Sequence, residues 1–351
     1  MELRLKNTSS QTGARSVMRA LRIVTGLYLL GYVTSHLINL SLGLISIDAM
    51  DAARPYLTGI WANEVTRPLL TTALLVHYGI GLYSIYTRPS ISGTAQDIVQ
   101  ALSGLAIIPL MAIHGVGVVM LHDAGVDVEY DLILRVFWLS NPGYGLVQVL
   151  LISAAWVHGC AGLFMWLRAK RSAVRWLPWL YPLAVAIPVL ALLGFTEAGR
   201  VVLIERIGPV VVQTELAPGA EPTEIPFALI MQVQAWVMWG SIAIGFAVLF
   251  ARWARTTLAR PAQVRITTTS VGEVIGHTGQ TLLDVFRSQN QPHANLCSGR
   301  GRCGTCAVRI LSSQSELPIP TPLEQATLDR IDKGDDVRLA CQLQLGDGGA
   351  I

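Results

Sequence analysis

Six stretches of the chain, roughly 20–45, 67–86, 98–121, 142–167, 177–196 and 226–250, are nearly unbroken runs of apolar residues. A helix that crosses a bilayer needs about 20 such residues, so the pattern predicts six membrane-spanning helices. The first run is long enough to span and lacks a small-residue cleavage site, which sets it apart from a cleavable signal peptide. Near residue 260 the pattern changes to short alternating segments. Val264–Thr269 and Val271–His277 alternate around a turn, as a hairpin does. Thr281 to Gln289 reads as a short helix, Cys306–Leu311 as a strand, and Pro322 to Ile331 as a second helix with Thr321 as its cap. Val337–Leu343 reads as a strand carrying Cys341. The expected organisation is a six-helix membrane domain over 1–255, a linker over 256–262 and a small α+β domain over 263–351.

Composition agrees: 52% of residues are hydrophobic and 14% charged, against about 25% charged in an ordinary soluble domain. This excludes a wholly soluble enzyme and a disordered chain. A net charge of +3 without a dense basic stripe excludes a nucleic-acid binder. Basic residues mark one side of the predicted spans: Arg15, Arg19 and Arg22, then Arg88, then Arg168, Lys170, Arg171 and Arg175, then Arg252, Arg255 and Arg260. Acidic or mixed loops mark the other, around Asp48 to Glu64, Asp123 to Asp131 and Glu197 to Glu224. The basic side is expected to be cytoplasmic, which puts both termini and the C-terminal domain in the cytoplasm. The segment 131–139, with Phe137 and Trp138, is expected along the outer interface, and Val201 to Val212 as a hairpin.

Four consecutive spans each hold one histidine: His36, His77, His114 and His158. A titratable side chain inside a bilayer is costly and points to function. One such histidine is equally explained by an interhelical hydrogen bond; four, one per helix, point to cofactor ligation. Imidazole is the usual axial ligand of b-type haem, and two can clamp one iron. His77 lies 11 residues before Arg88 and His158 lies 10 before Arg168, whereas His36 lies 14 beyond Arg22 and His114 lies 17 beyond Asp97. These depths pair His77 with His158 nearer the cytoplasm and His36 with His114 nearer the outside, implying two stacked haem b groups. Glycines follow three of the four (Gly79 and Gly81, Gly115 and Gly117, Gly159 and Gly162), and are expected to let a flat ring approach the backbone. Helix packing in lipid uses glycine equally well. His122, beside Asp123, reads as interfacial, and His277 and His293 as solvent-exposed.

Four of the five cysteines fall in the C-terminal domain, as Cys297, Cys303, Cys306 and Cys341, with the spacing C-x5-C-x2-C-x34-C. Four thiolates can hold the two irons of a [2Fe–2S] cluster. Zinc is the alternative, although structural zinc sites usually present two paired knuckles and Cys341 has no near neighbour in sequence. No G-x-G-x-x-G follows a strand and no G-x-x-x-x-G-K-[ST] appears, so the chain carries candidate redox centres and no visible substrate-processing site.

The histidine layout resembles the two-haem membrane anchor of succinate dehydrogenase and fumarate reductase, over the first four or five spans. In that family the first and third histidines hold one haem and the second and fourth the other. The cysteine loop and the element order resemble the β-grasp [2Fe–2S] ferredoxins over about 80 residues, and C-x5-C-x2-C matches the adrenodoxin-like branch. By this resemblance Cys297, Cys303, Cys306 and Cys341 are the ligands. That family usually continues into another strand, so the domain is expected to be cut at its C-terminus. The whole order, with the Arg-rich loop Ser298-Gly-Arg-Gly-Arg-Cys-Gly-Thr-Cys306, resembles the N-terminal region of some alphaproteobacterial class III adenylate cyclases. The resemblance implies a redox sensor in the bacterial inner membrane, a homodimer, and cyclic AMP synthesis only from a catalytic domain that would follow. The rival expectation is a membrane electron-transfer protein whose partners are the bilayer, a quinone and a soluble carrier.

Overall fold

A computed structural model describes residues 8–87, 95–168, 171–205, 227–258, 262–269, 272–313, 317–332, 334 and 336–346. Arg88, Lys170, Arg260, the 206–226 stretch and 347–351 lie outside the described residues. The described elements begin with α1 (Thr8–Ser41), α2 (Ile47–Leu57), α3 (Thr66–Thr87) and α4 (Ala95–Asp123). They continue with α5 (Tyr130–Arg135), α6 (Pro142–Leu167), α7 (Leu177–Glu205) and α8 (Phe227–Leu258). The C-terminal domain comprises β1 (Gln263–Thr268), β2 (Gly272–His277), α9 (Leu282–Ser288), β3 (Ala307–Arg309), α10 (Pro322–Ile331) and β4 (Val337–Leu339).

Six of the helices are long and apolar enough to cross a membrane: α1, α3, α4, α6, α7 and α8. Their contacts explain how proline and glycine are tolerated inside them. Pro188 in α7 has no N–H, so the Ala184 carbonyl four residues earlier loses its helical donor. Trp156 of α6 donates its Nε1–H to that carbonyl at 2.7 Å. Gly43, just past α1, and Gly194 of α7 face each other so closely that a Cβ on either would strike the opposing backbone, a close crossing that small residues permit. Around this contact Leu37, Met50, Leu134, Trp156, Phe195 and Val202 form the buried core of the bundle.

The structure corrects one sequence expectation and details the packing of another. Phe137 is buried, and its ring packs beside His114 and Phe195. The segment from Val136 to Ser140 is a π-turn continuing α5, and Trp138 fills the space left by Gly145 and Gly199. Val201–Glu205 is no hairpin strand but the end of α7, with Val202 fully buried; the rest of that expected hairpin lies outside the described residues.

In the C-terminal domain β1 pairs antiparallel with β2, and β3 with β4. Thr281 caps α9 by accepting from the Asp284 N–H, while the Asp284 carboxylate accepts from the Thr281 N–H, the reciprocal arrangement that satisfies both orphan donors. Val264, Ile266, Val274, Leu283, Val285, Leu339 and Leu343 form its core. Glu324 of α10 is fully buried and accepts two bonds from Arg338 of β4 and one from the Leu339 N–H, at 2.9, 3.0 and 2.9 Å. The strand expected over Val337–Leu343 ends at Leu339; Cys341 sits in the turn that follows. That turn is where the chain must bend to bring a thiol back to the loop.

Candidate redox sites and the face between them

The loop from Cys297 to Cys306 turns because four of its residues adopt left-handed backbone: Ser298 (φ 53°), Gly299 (82°), Gly301 (65°) and Gly304 (76°). Glycine takes this conformation without the Cβ penalty. At Gly304 a Cβ would also lie 2.7 Å from the Ile331 side chain. A backbone bond from the Ala340 N–H to the Cys306 carbonyl, 3.0 Å, ties the loop to the turn holding Cys341. Cys297, Cys306 and Cys341 are buried and Cys303 is half-buried.

The four sulfurs form two pairs. Cys306 Sγ lies 3.2 Å from Cys341 Sγ, and Cys297 hydrogen-bonds Cys303. Hydrogen bonding within each pair holds Cys303 and Cys306 below the ordinary thiol range and pushes Cys297 and Cys341 above it. The Thr305 hydroxyl, 3.0 Å from Cys303 Sγ, adds to the lowering there. Among the described residues no three Cys, His, Asp or Glu side chains converge on one ion position. A two-plus-two donor set fits a binuclear iron–sulfur centre, with two thiolates per iron, better than a single tetrahedral zinc.

The histidines also come in two pairs. The His36 and His114 rings have centroids 5.8 Å apart, and the His77 and His158 rings 6.1 Å apart. Two imidazoles sharing one metal, each nitrogen about 2 Å from it, place their ring centres roughly 6 Å apart. Both pairs therefore fit a bis-imidazole iron. Their surroundings differ. Thr25 donates its hydroxyl to the Leu21 carbonyl at 2.7 Å and so accepts from His77 Nδ1–H at 3.0 Å. His158 donates Nδ1–H to the Gln100 carbonyl at 2.9 Å. Both bonds leave the lone pair on Nε2, the nitrogen a metal would take. The Gln100 side-chain amide lies 3.4 Å from His158 Nε2. In the outer pair the Nδ1 atoms of His36 and His114 are buried without a partner. His36 stacks on Tyr32, centroids 5.8 Å apart, and His114 lies in a π-turn over Ala112–Val116. The Ile113 carbonyl in that turn accepts from Gln234 of α8 at 2.8 Å. A π-turn inside a long helix frequently marks a functional site.

The glycines that touch imidazole are not those that follow the histidines. A Cβ on Gly26 would lie 2.9 Å from the His77 ring, and one on Gly104 would lie 2.7 Å from the His158 ring. Gly79 and Gly81 face open space, while Gly115, Gly117, Gly159 and Gly162 meet Met111, Gln234, Leu30 and Gln100. The glycines that let imidazole approach closely lie on neighbouring helices, which spacing along one helix does not reveal. Sequence reasoning also misses Thr25 and Gln100; the signal for each is a polar residue about one turn inside an apolar run. His122 is exposed beside Arg67 and Asp123. His293 is corrected from exposed to half-buried: it packs on Phe286 at 5.0 Å and lies 3.3 Å from the Cys306 carbonyl. His277 is also half-buried rather than exposed.

The cysteine loop lies against the end of α6. Arg168 donates to Ser298 Oγ at 2.6 Å, and Arg300 lies 3.2 Å from Met165 Sδ. Arg168 is 10 residues beyond His158 along the chain.

Compared with curated proteins and with solved structures, the chain matches none. Residues 268–345 match the family model of the 2Fe-2S iron-sulfur cluster binding domain. The C-terminal part of the chain is a 2Fe-2S ferredoxin domain, joined to six helices long and apolar enough to cross a membrane.

Proposed function

We propose that this chain is a membrane redox module in which a cytoplasmic [2Fe–2S] cluster exchanges electrons with two b-type haems. Cys297, Cys303, Cys306 and Cys341 would hold the cluster, His77 and His158 the inner haem, and His36 and His114 the outer one. Bis-imidazole haem and [2Fe–2S] centres supply one-electron chemistry when bound. The observation that carries the reading is the contact of the cysteine loop with α6, the helix that bears His158. Met165 is seven residues, about 10 Å of helix rise, from His158, so the two candidate centres are neighbours rather than strangers on one chain. Thr25 and the Gln100 carbonyl orient the inner imidazoles, and the apolar bundle keeps water from them.

The order of parts supports a finer assignment as the redox-sensing region of a membrane adenylate cyclase in a bacterial inner membrane, with the ferredoxin domain cytoplasmic. In that assignment a catalytic domain following this region makes cyclic AMP, and the helices and ferredoxin domain set its activity. The experiment has two parts. The full chain purified in lipid nanodiscs should show a low-spin b-type spectrum with about two haems, and one unpaired-electron cluster signal after reduction. A cyclase domain joined after the ferredoxin domain should then give different cyclic AMP output under oxidising and reducing conditions. Equal output, with both centres seen to change state, would leave electron exchange with a quinone as the better account.

A further inference from the structure

The cysteine loop is held from a second side, by α10. Threonine inside a helix commonly turns its hydroxyl back onto the carbonyl four residues earlier, and Thr34, Thr71 and Thr196 of this chain do so, at 2.7, 3.0 and 2.8 Å. Thr327 of α10 differs. It is buried, and its hydroxyl donates to the Gly301 carbonyl, 26 residues away, at 2.6 Å. Arg330, three residues on and so on the same face of the helix, donates to the carbonyl of Arg302. Ile331 packs where a Cβ on Gly304 would intrude. The helix is itself anchored, because Glu324, one turn before Thr327, is held by Arg338 and by the Leu339 N–H.

Each of these two bonds falls on a peptide unit whose other end faces a candidate ligand. The Gly301 carbonyl and the Arg302 N–H belong to one unit, and the Arg302 carbonyl and the Cys303 N–H to the next. Both N–H groups are hydrogen-bonded to the Cys297 sulfur. So α10 grips, at the oxygen end, two consecutive peptides that point N–H at one sulfur. A bond accepted by the carbonyl oxygen polarises the amide and makes its N–H a stronger donor. Hydrogen bonds to the sulfurs help set a cluster's reduction potential, because they stabilise the extra negative charge of the reduced centre.

We propose that Thr327 and Arg330 are positioning residues for the [2Fe–2S] centre: through the two peptides after Gly301 they strengthen the N–H bonds on Cys297 and raise the potential at which the cluster accepts an electron. The inference rests on the cluster reading above, with Cys297 as a ligand, and is independent of the haems. It gives α10 a part in the redox chemistry although the helix carries no ligand.

The test is a redox titration of the full chain in nanodiscs, read by the paramagnetic signal of the reduced cluster. Thr327→Val keeps the size of the side chain and removes no charge, so a charge effect cannot mimic loss of the bond. At a fixed applied potential its ratio of reduced to oxidised cluster should fall about two- to fivefold, the equivalent of one weakened hydrogen bond, while its iron content stays that of the unaltered chain. Thr327→Ser, which restores the hydroxyl, should return the ratio to its original value. Arg330→Met should lower the ratio too, and the fall should persist in about 1 M salt, where the screening length is about 3 Å. An unmoved ratio in Thr327→Val, a Thr327→Ser chain that behaves like Thr327→Val, or an Arg330→Met effect that vanishes in salt would overturn the proposal. If Thr327→Val loses its iron, Arg330→Met at high salt decides alone. Absence of iron and of a cluster signal from the unaltered chain would instead overturn the cluster reading, and this inference with it.

Discussion

The four cysteines and the four histidines assemble by opposite routes. Three cysteines come from ten consecutive residues, turned on themselves by left-handed positions at Ser298, Gly299, Gly301 and Gly304, and one backbone bond from Ala340 brings in the fourth. Each histidine comes from its own helix, and its distance from its partner is set by contacts far from it, such as Gly43 against Gly194 and Trp156 on the Ala184 carbonyl. A local site depends on backbone conformation; a dispersed site depends on packing. The first should fail as a whole when one member is changed, and the second should fail by halves.

The largest expected effect follows directly. Cys306→Ser should abolish or strongly perturb the cluster signal and lower non-haem iron, because it removes one of four thiolates, whereas Cys160→Ser should leave both in place. Iron analysis and paramagnetic resonance after reduction decide it. Next in size, His158→Ala or His77→Ala should remove one of two haems and spare the other, and His36→Ala or His114→Ala the reverse, read as haem content per chain. Loss of both haems from one substitution would show the two pairs to be one cooperative site and break the comparison.

A smaller effect probes the frame behind the cysteines. Glu324→Gln leaves Arg338 a buried charge without its carboxylate, and breaking such a pair is worth about 3–5 kcal/mol. Thermal loss of the cluster's visible absorption should move to lower temperature, with haem bleaching unchanged. The smallest effect sharpens the contrast within the histidine pairs. Thr25→Val removes the acceptor that holds His77 Nδ1–H; that bond makes the ring a stronger donor to metal. The inner haem should become easier to reduce and the outer haem should not respond, in a spectroscopic redox titration.

This difference also governs what can be read from the sequence. The cysteine spacing, the hairpin, the capping residue Thr321 and the six apolar runs are all local patterns, and the described structure has elements at each of those places. The partners of the histidines are not local. Gly26, Thr25 and Gln100 approach His77 and His158 across helix interfaces, and no spacing along a single run identifies them. The packing of Phe137 is hidden for the same reason: its contacts with His114 and Phe195 come from other elements of the bundle. The end of β4 at Leu339 is hidden because Leu339, Cys341 and Leu343 keep the alternation of a strand, with Gln342 as a polar position between the last two. The chain nevertheless turns after Leu339, and that turn is what places Cys341 beside Cys306.

The central claim is that electrons pass between the ferredoxin domain and the helices through the cysteine loop. It is tested most directly by supplying electrons from NADPH through a ferredoxin reductase, a donor that reaches an exposed cluster domain but not haem inside a bundle, and following haem absorbance in nanodiscs. The full chain should show haem reduction under these conditions; the Cys306→Ser chain should not, although dithionite still reduces its haem. Equal rates of haem reduction in the two chains would contradict the account.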